Sequence, residues 1–176
     1  DQLDIPVAIF NGADGGKPIS FFDRPSDYTS STDSNYGRLF YRLNKTGLKN
    51  YVRGILWSQG EADSFSNGLS TEQYKSSFET LMSYWQEDYP NIQNYFIFQT
   101  RDCDCGTISS GRKKIKEAQR LVALENENVF IRKSLLFLIR KIARIKKLNV
   151  NQIIGPVHKN DKVENIITPI ILPIRS

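Results

Sequence analysis

Short apolar runs alternate with amphipathic stretches along the first 130 residues. Four runs rich in β-branched and aromatic residues predict buried strands. They cover residues 5–10, 51–57, 94–99 and 128–131. Three stretches carry apolar residues every three or four positions, which predicts amphipathic helices. They cover residues 36–43, 74–85 and 111–125.

The predicted order of elements is therefore βαβαβαβ. Strands separated by helices pair in parallel through right-handed crossovers. The sequence thus predicts an α/β fold, with a parallel sheet inside a three-layer α/β/α arrangement. Ligands of such sheets bind at the carboxyl ends of the strands, which here lead into loops 11–34, 58–70 and 100–110.

Composition divides the 176-residue chain near residue 131. Residues 1–127 carry a net charge of −3, whereas residues 128–176 carry +8. Phe137 is the one aromatic residue after Phe130, while isoleucine and lysine become frequent there. We therefore expect residues 1–131 to form the α/β domain and treat residues 132–176 as a separate basic segment.

Three interpretations of residues 132–176 remain open. The segment is a divergent end of the same domain, an appended basic helix, or the product of a shifted reading frame. Apolar residues line one face of 135–148 and basic residues lie mostly off it, a pattern suited to an anionic membrane surface. A helix packed on the sheet is the competing interpretation of the same pattern.

Several function classes are disfavoured. No window of eighteen apolar residues predicts a membrane span, and no signal peptide opens the chain. Cys103 and Cys105 lack the partner pair that a zinc site needs, so we predict no metal. The basic cluster 112–116 has no interleaved aromatic residues, so we predict no nucleic-acid partner.

Candidate chemistry concentrates where the second predicted strand ends, in Trp57-Ser58-Gln59-Gly60-Glu61-Ala62-Asp63. An uncharged amide donor such as Gln59 beside a developing oxyanion is worth roughly 3–4 kcal/mol of transition-state stabilisation. Gly60 permits a sharp turn and leaves room for substrate, while Glu61 can hold the loop or orient polar groups. Trp57 offers a flat face for a sugar or acyl chain. The competing interpretation is a strand end whose Gln and Glu satisfy loop amides.

The segment 57–63 resembles the WxQGExD block of sialate-type carbohydrate O-acetylesterases, the SASA domain of the SGNH hydrolase superfamily. Residues 11–19 resemble the strand and diglycine block of this family. The stretches 74–78 and 85–90 resemble its long helix, and 117–120 resemble the helix before its last strand. The resemblance extends over roughly residues 4–131.

This resemblance implies an SGNH-type α/β/α fold, incomplete at the N-terminus, that hydrolyses acetyl esters on sugars. A serine nucleophile, a histidine base and an aspartate would perform the reaction, and Gln59 would donate to the oxyanion. The resemblance also implies an acetylated carbohydrate as partner, no cofactor, and export to the periplasm or the extracellular space.

The sequence departs from the family at the nucleophile and the base. No Gly-Gln-Ser-Asn block occurs, because the chain begins downstream of its expected position. His158 is the one histidine, and Gly155 stands where an Asp-x-x-His block needs aspartate. We therefore expect this chain alone to lack esterase activity. The alternative function is a non-catalytic carbohydrate-binding or scaffold module.

Overall fold

The computed structural model describes residues 8–65, 68–100, 110–132 and 170–173. Its strands are β1 (Phe10–Asn11), β2 (Val52–Trp57), β3 (Asn94–Phe98), β4 (Val129–Arg132) and β5 (Ile170–Pro173). Its α-helices are α1 (Asn35–Lys45), α2 (Thr71–Asp88) and α3 (Ser110–Glu125). Short 3-10 turns occur at Ile19–Phe22, Lys49–Tyr51 and Ala62–Ser64.

The five strands form one sheet in the order β1-β5-β2-β3-β4. Strands β2, β3 and β4 are parallel neighbours. Strand β5 is antiparallel to both β1 and β2, so β1 runs in the same direction as β2. The carboxyl ends of β1, β2, β3 and β4 therefore meet along one side of the sheet, which we call the carboxyl edge.

The predicted α/β fold with a parallel sheet is confirmed in β2, β3 and β4. Strand β5 was not predicted, because four apolar residues far along the chain reveal nothing of their non-local pairing. It comes from the basic segment 132–176, whose boundary at residue 131 stays a prediction. The region 135–148, Cys103, Cys105 and His158 lie outside the described residues.

The helices bury the faces that their periodicity predicted. In α1 the buried face includes Tyr36, Leu39, Phe40 and Leu43. In α2 it includes Tyr74, Phe78, Leu81 and Trp85. Side-chain caps fix where both helices begin, because Ser34 Oγ accepts from the Gly37 amide at 2.9 Å and Ser70 forms a reciprocal box with Gln73.

The core lies between the helices and the sheet. Right-handed crossovers place α2 and α3 on the same face of β2, β3 and β4, where the two helices contact each other. Aromatic rings fill this layer, with Trp85 packed between Trp57 and Tyr95. None of the described helices is long and apolar enough to cross a membrane.

Candidate functional site

Gly60 makes the chain turn sharply just after β2. Its φ of +137° lies in the region that side-chain-bearing residues rarely adopt. A Cβ atom there would stand 2.6 Å from the Cγ2 methyl of Ile115 and 3.1 Å from that of Thr100. Glycine is therefore required both by the backbone angle and by the close approach of α3.

Gln59 is fully buried beside this turn, and its side chain is hydrogen-bonded at both ends. Its Nε2 donates to the Lys17 carbonyl oxygen at 3.0 Å and to Oδ2 of Asp63. Its Oε1 accepts from the Tyr74 hydroxyl at 2.9 Å. Because a primary amide has two hydrogens, these two acceptors use its full donor capacity.

Further hydrogen bonds connect Gln59 to α3 and, through Tyr74, to the indole of Trp57 at the end of β2. Gln119 Nε2 donates to the backbone carbonyl oxygen of Gln59 at 2.9 Å. Trp57 Nε1 donates to the Tyr74 hydroxyl at 3.3 Å. We call the five side chains so connected the Gln59 network; its members are Trp57, Gln59, Asp63, Tyr74 and Gln119. All five are buried, which makes each of these bonds costly to lose.

Asp63 anchors the network to the loop that follows β1. Its Oδ2 accepts from the Ile19 amide at 2.9 Å as well as from Gln59. Burial raises the pKa of Asp63, although the bonds from Gln59 and Ile19 act in the opposite direction. The same residues thus tie the turn 62–64, the loop 12–18 and the end of β2 into one unit.

The raised pKa gives a testable pH dependence. Because the folded protein binds this proton more tightly than the unfolded chain, the contribution of Asp63 to stability is lost as pH rises through the raised value. Above pH about 4, we expect the free energy of unfolding of Asp63→Asn to increase relative to that of wild type. Urea unfolding of both proteins across pH measures this difference, and parallel curves would contradict it.

Trp57 occupies a different position from the one predicted. The sequence suggested a flat face open to a sugar, but the ring is fully buried. It makes edge contacts with Phe22 and Trp85, at centroid distances of 5.3 and 5.5 Å, and a tilted contact with Phe78. The physical reason is that β2 is an interior strand, so the ring packs under α2 and a sugar could stack on it only by displacing a core aromatic.

Glu61 lies at the start of the turn 62–64 and is half-buried. Its backbone carbonyl oxygen accepts from the amide and the hydroxyl of Ser64, at 3.1 and 2.7 Å. The structure thus brings Trp57, Gln59, Gly60 and Glu61 together at the carboxyl edge. The roles of Gln59 and Glu61 in catalysis and of Trp57 and Gly60 in substrate binding stay predictions.

A cavity of about 390 Å³ lies at the same edge, beside the end of β1. Its lining comes from the loop after β1, the loop before α1 and one side of α1, and includes Asn11, Asp14, Asn35, Arg38, Tyr41 and Arg42. Asn11 is in register with Ile170, which pairs with Leu56 of β2. Two strand spacings, or about 10 Å, therefore separate this wall from β2.

Sequence reasoning did not identify Tyr74, Gln119 or the arginines of α1 as site residues. One signal was present for Gln119. It follows Ile115 by four positions and precedes Val122 by three, so an amide interrupts an apolar stripe. A polar residue on a buried helix face needs a hydrogen-bond partner, which here is the Gln59 carbonyl oxygen.

The parallel strands, their flanking helices and the polar cluster at the carboxyl edge define an α/β protein, and one comparison with known proteins adds an SGNH-like family to this description. A family model described as carbohydrate esterase, sialic acid-specific acetylesterase (SASA) matches residues 1–139. The chain belongs to this family. No curated protein and no solved structure matches the chain at a significant level.

The described residues contain no group of three or more histidine, cysteine or acidic side chains arranged to hold a metal ion. The two acidic side chains Asp63 and Asp14 at the carboxyl edge have different surroundings. Asp63 is bonded to an amide and a backbone N–H, and Asp14 lies in the cavity wall with Arg38 and Arg42.

Proposed function

We propose that this domain hydrolyses acetyl esters on carbohydrates at the carboxyl edge of its sheet. Family membership supports the reaction class. The observation that carries the proposal is the Gln59 network, which joins three separate segments at the edge where α/β sheets bind their ligands. The proposed partner is an acetylated carbohydrate.

The reaction is an acyl transfer to a serine hydroxyl and then to water. The hydroxyl oxygen attacks the acetyl carbonyl, a histidine accepts the proton, and the sugar leaves as an alcohol that takes that proton. Water then cleaves the acetyl-serine and releases acetate. We assign neither the serine nor the histidine to a described residue of this chain.

The described residues supply the frame of this site. As folded, Gln59 gives both amide hydrogens to Lys17 and Asp63, so direct donation to an oxyanion would require one of those bonds to open. The contacts instead support a positioning role, in which Gln59 holds the loop 12–18 and the turn 62–64 against the end of β2. A site held in this way needs little reorganisation when substrate binds.

Acetate release from a mono-O-acetylated sugar tests the proposal. The assay uses the product of the complete open reading frame that contains these 176 residues. We expect release if that product carries a Gly-Gln-Ser-Asn block, and none from a chain without it. A complete product that binds the sugar without releasing acetate would contradict the proposal and favour a non-catalytic carbohydrate-binding module.

Two variants distinguish a positioning role of Gln59 from the general effect of losing a polar side chain. Gln59→Leu removes the centre of the network, whereas Gln93→Leu makes the same change at an exposed position. We expect acetate release by the complete product to fall with Gln59→Leu and to be retained with Gln93→Leu. Circular dichroism of both variants reports whether the fold persists under the assay conditions.

A further inference from the structure

Phe65 is a large apolar side chain that remains exposed at the carboxyl edge. It directly follows the turn 62–64 and is 70% accessible to solvent. A phenyl ring gains nothing from contact with water, so its burial would stabilise the fold. Single exposed apolar residues are common on protein surfaces, so the meaning of this one depends on its backbone and its position.

Hydrogen bonds fix the backbone on both sides of Phe65. Before it, the amide and the hydroxyl of Ser64 both donate to the Glu61 carbonyl oxygen, at 3.1 and 2.7 Å. After it, the Gly68 amide donates to the carbonyl oxygen of Phe65 itself at 2.7 Å. The ring therefore extends from backbone that is bonded on both sides.

Close packing holds the turn 62–64 from two sides. A Cβ atom on Gly111, in the first turn of α3, would overlap the Ser64 carbonyl oxygen. A Cβ atom on Gly68 would overlap the carbonyl oxygen of Asp63. Asp63 also belongs to the Gln59 network, whose bonds hold the turn against the end of β2. Because this backbone is already fixed, a ligand that contacts the ring need not order it on binding.

The location of Phe65 distinguishes it from other exposed apolar residues. Tyr51 and Leu124 are 44% and 71% exposed, but they lie at the opposite edge, before β2 begins and where α3 ends. Phe65 instead lies between the end of β2 and the start of α2, at the edge where ligands of α/β sheets bind. An exposed aromatic face there can pack against the C–H groups of a sugar ring. The fully buried Trp57 cannot present such a face, whereas Phe65 does.

We propose that Phe65 is a specificity-determining residue whose ring packs against the sugar that carries the acetyl ester. The inference rests on the proposed function and names the residue that selects a carbohydrate ester at that site. The phenyl ring supplies apolar contact and no hydrogen bond, so it favours an alcohol that is a ring over a small open-chain alcohol. It takes no part in the acyl transfer, so its loss weakens substrate binding and leaves the chemical step unchanged.

Kinetics of the complete product test the inference with two kinds of acetyl ester. The ring esters are mono-O-acetylated methyl glucopyranosides and galactopyranosides, and the open-chain ester is isopropyl acetate. We expect Phe65→Ala to raise KM about tenfold for the ring ester that is hydrolysed fastest, because part of a buried sugar face returns to water. The value of kcat and the hydrolysis of isopropyl acetate should stay within about twofold of wild type.

Two further variants exclude a general effect of the substitution. Phe65→Trp keeps an aromatic face and should retain KM within about threefold. Tyr51→Ala removes an exposed ring from the opposite edge and should leave the hydrolysis of both kinds of ester unchanged. An unchanged KM in Phe65→Ala, or an equal loss for the ring ester and isopropyl acetate, would overturn the inference.

Binding separates this inference from the proposed function. If the complete product releases no acetate, the hydrolase proposal fails, and titration of the unacetylated methyl pyranosides into the ¹⁵N-labelled product then decides. About tenfold weaker binding by Phe65→Ala than by wild type, measured by nuclear magnetic resonance, supports the role of Phe65. Equal binding by the two proteins, or binding by neither, overturns it.

Discussion

Replacement of Gly60 by alanine is expected to destabilise the protein by about 3 kcal/mol or more. Two costs combine at this position. The φ of +137° strains any residue with a Cβ atom, and that atom would stand 2.6 Å from the Ile115 methyl group. Because Ile115 is fully buried in α3, its side chain has little room to retreat. Urea denaturation of Gly60→Ala measures the loss.

Gly16→Ala is the matched control for this substitution. Gly16 also has a positive φ, of +71°, but a Cβ atom added there would meet no other atom within 4 Å. Gly16→Ala should therefore lose only the stability that backbone strain costs, about 1 kcal/mol. Equal losses in the two variants would show that α3 does not press against Gly60 and would contradict the packing described at the carboxyl edge.

Loss of a single hydroxyl in Tyr74→Phe is expected to cost about 3 kcal/mol of folding free energy. The hydroxyl donates to Gln59 Oε1 at 2.9 Å and accepts from Trp57 Nε1 at 3.3 Å. Without it, a buried amide oxygen and a buried indole N–H lose these partners inside a packed layer. Burial also raises the pKa of Tyr74, which favours the protonated hydroxyl that donates to Gln59.

Tyr95→Phe provides the comparison for Tyr74→Phe. Tyr95 is also buried, but within the described part of the chain its hydroxyl makes long bonds, of 3.4 Å to the Met82 carbonyl oxygen and 3.3 Å to Gln86 Oε1. Its removal should cost less than about 1 kcal/mol. Thermal unfolding of both variants checks the difference. Similar losses of stability in the two variants would mean that the Gln59 network contributes no more to stability than an ordinary hydroxyl contact.

Local periodicity was sufficient to predict most of the fold. The stripe of Tyr74, Phe78, Leu81 and Trp85 predicted α2 because a helix repeats every 3.6 residues, and all four side chains are buried. Strand β5 could not be predicted in this way. Its pairing with β1 and β2 depends on backbone groups more than a hundred residues away, for which a short apolar run contains no signal.

The sequence predicted where Gln59 lies in the fold but not the direction of its side chain, and the site itself stays a prediction. The motif placed Gln59 after β2 correctly, yet its partners Lys17 and Gln119 lie 42 and 60 residues away. Only the folded chain shows that Lys17 bonds to the side-chain amide of Gln59 and Gln119 to its backbone carbonyl oxygen. The burial of Trp57 could not be predicted for the same reason. Whether an indole at a strand end is exposed or buried depends on which helix packs over it.

The most direct test of the account is the exchange of the Gln59 side-chain amide hydrogens with solvent. Nuclear magnetic resonance of the ¹⁵N-labelled chain resolves these hydrogens and those of the exposed Gln93, which serves as the internal reference. Because Gln59 Nε2 is buried and bonded to Lys17 and Asp63, we expect its hydrogens to exchange only when the surrounding structure opens. Exchange of Gln59 as fast as that of Gln93 would contradict the buried network.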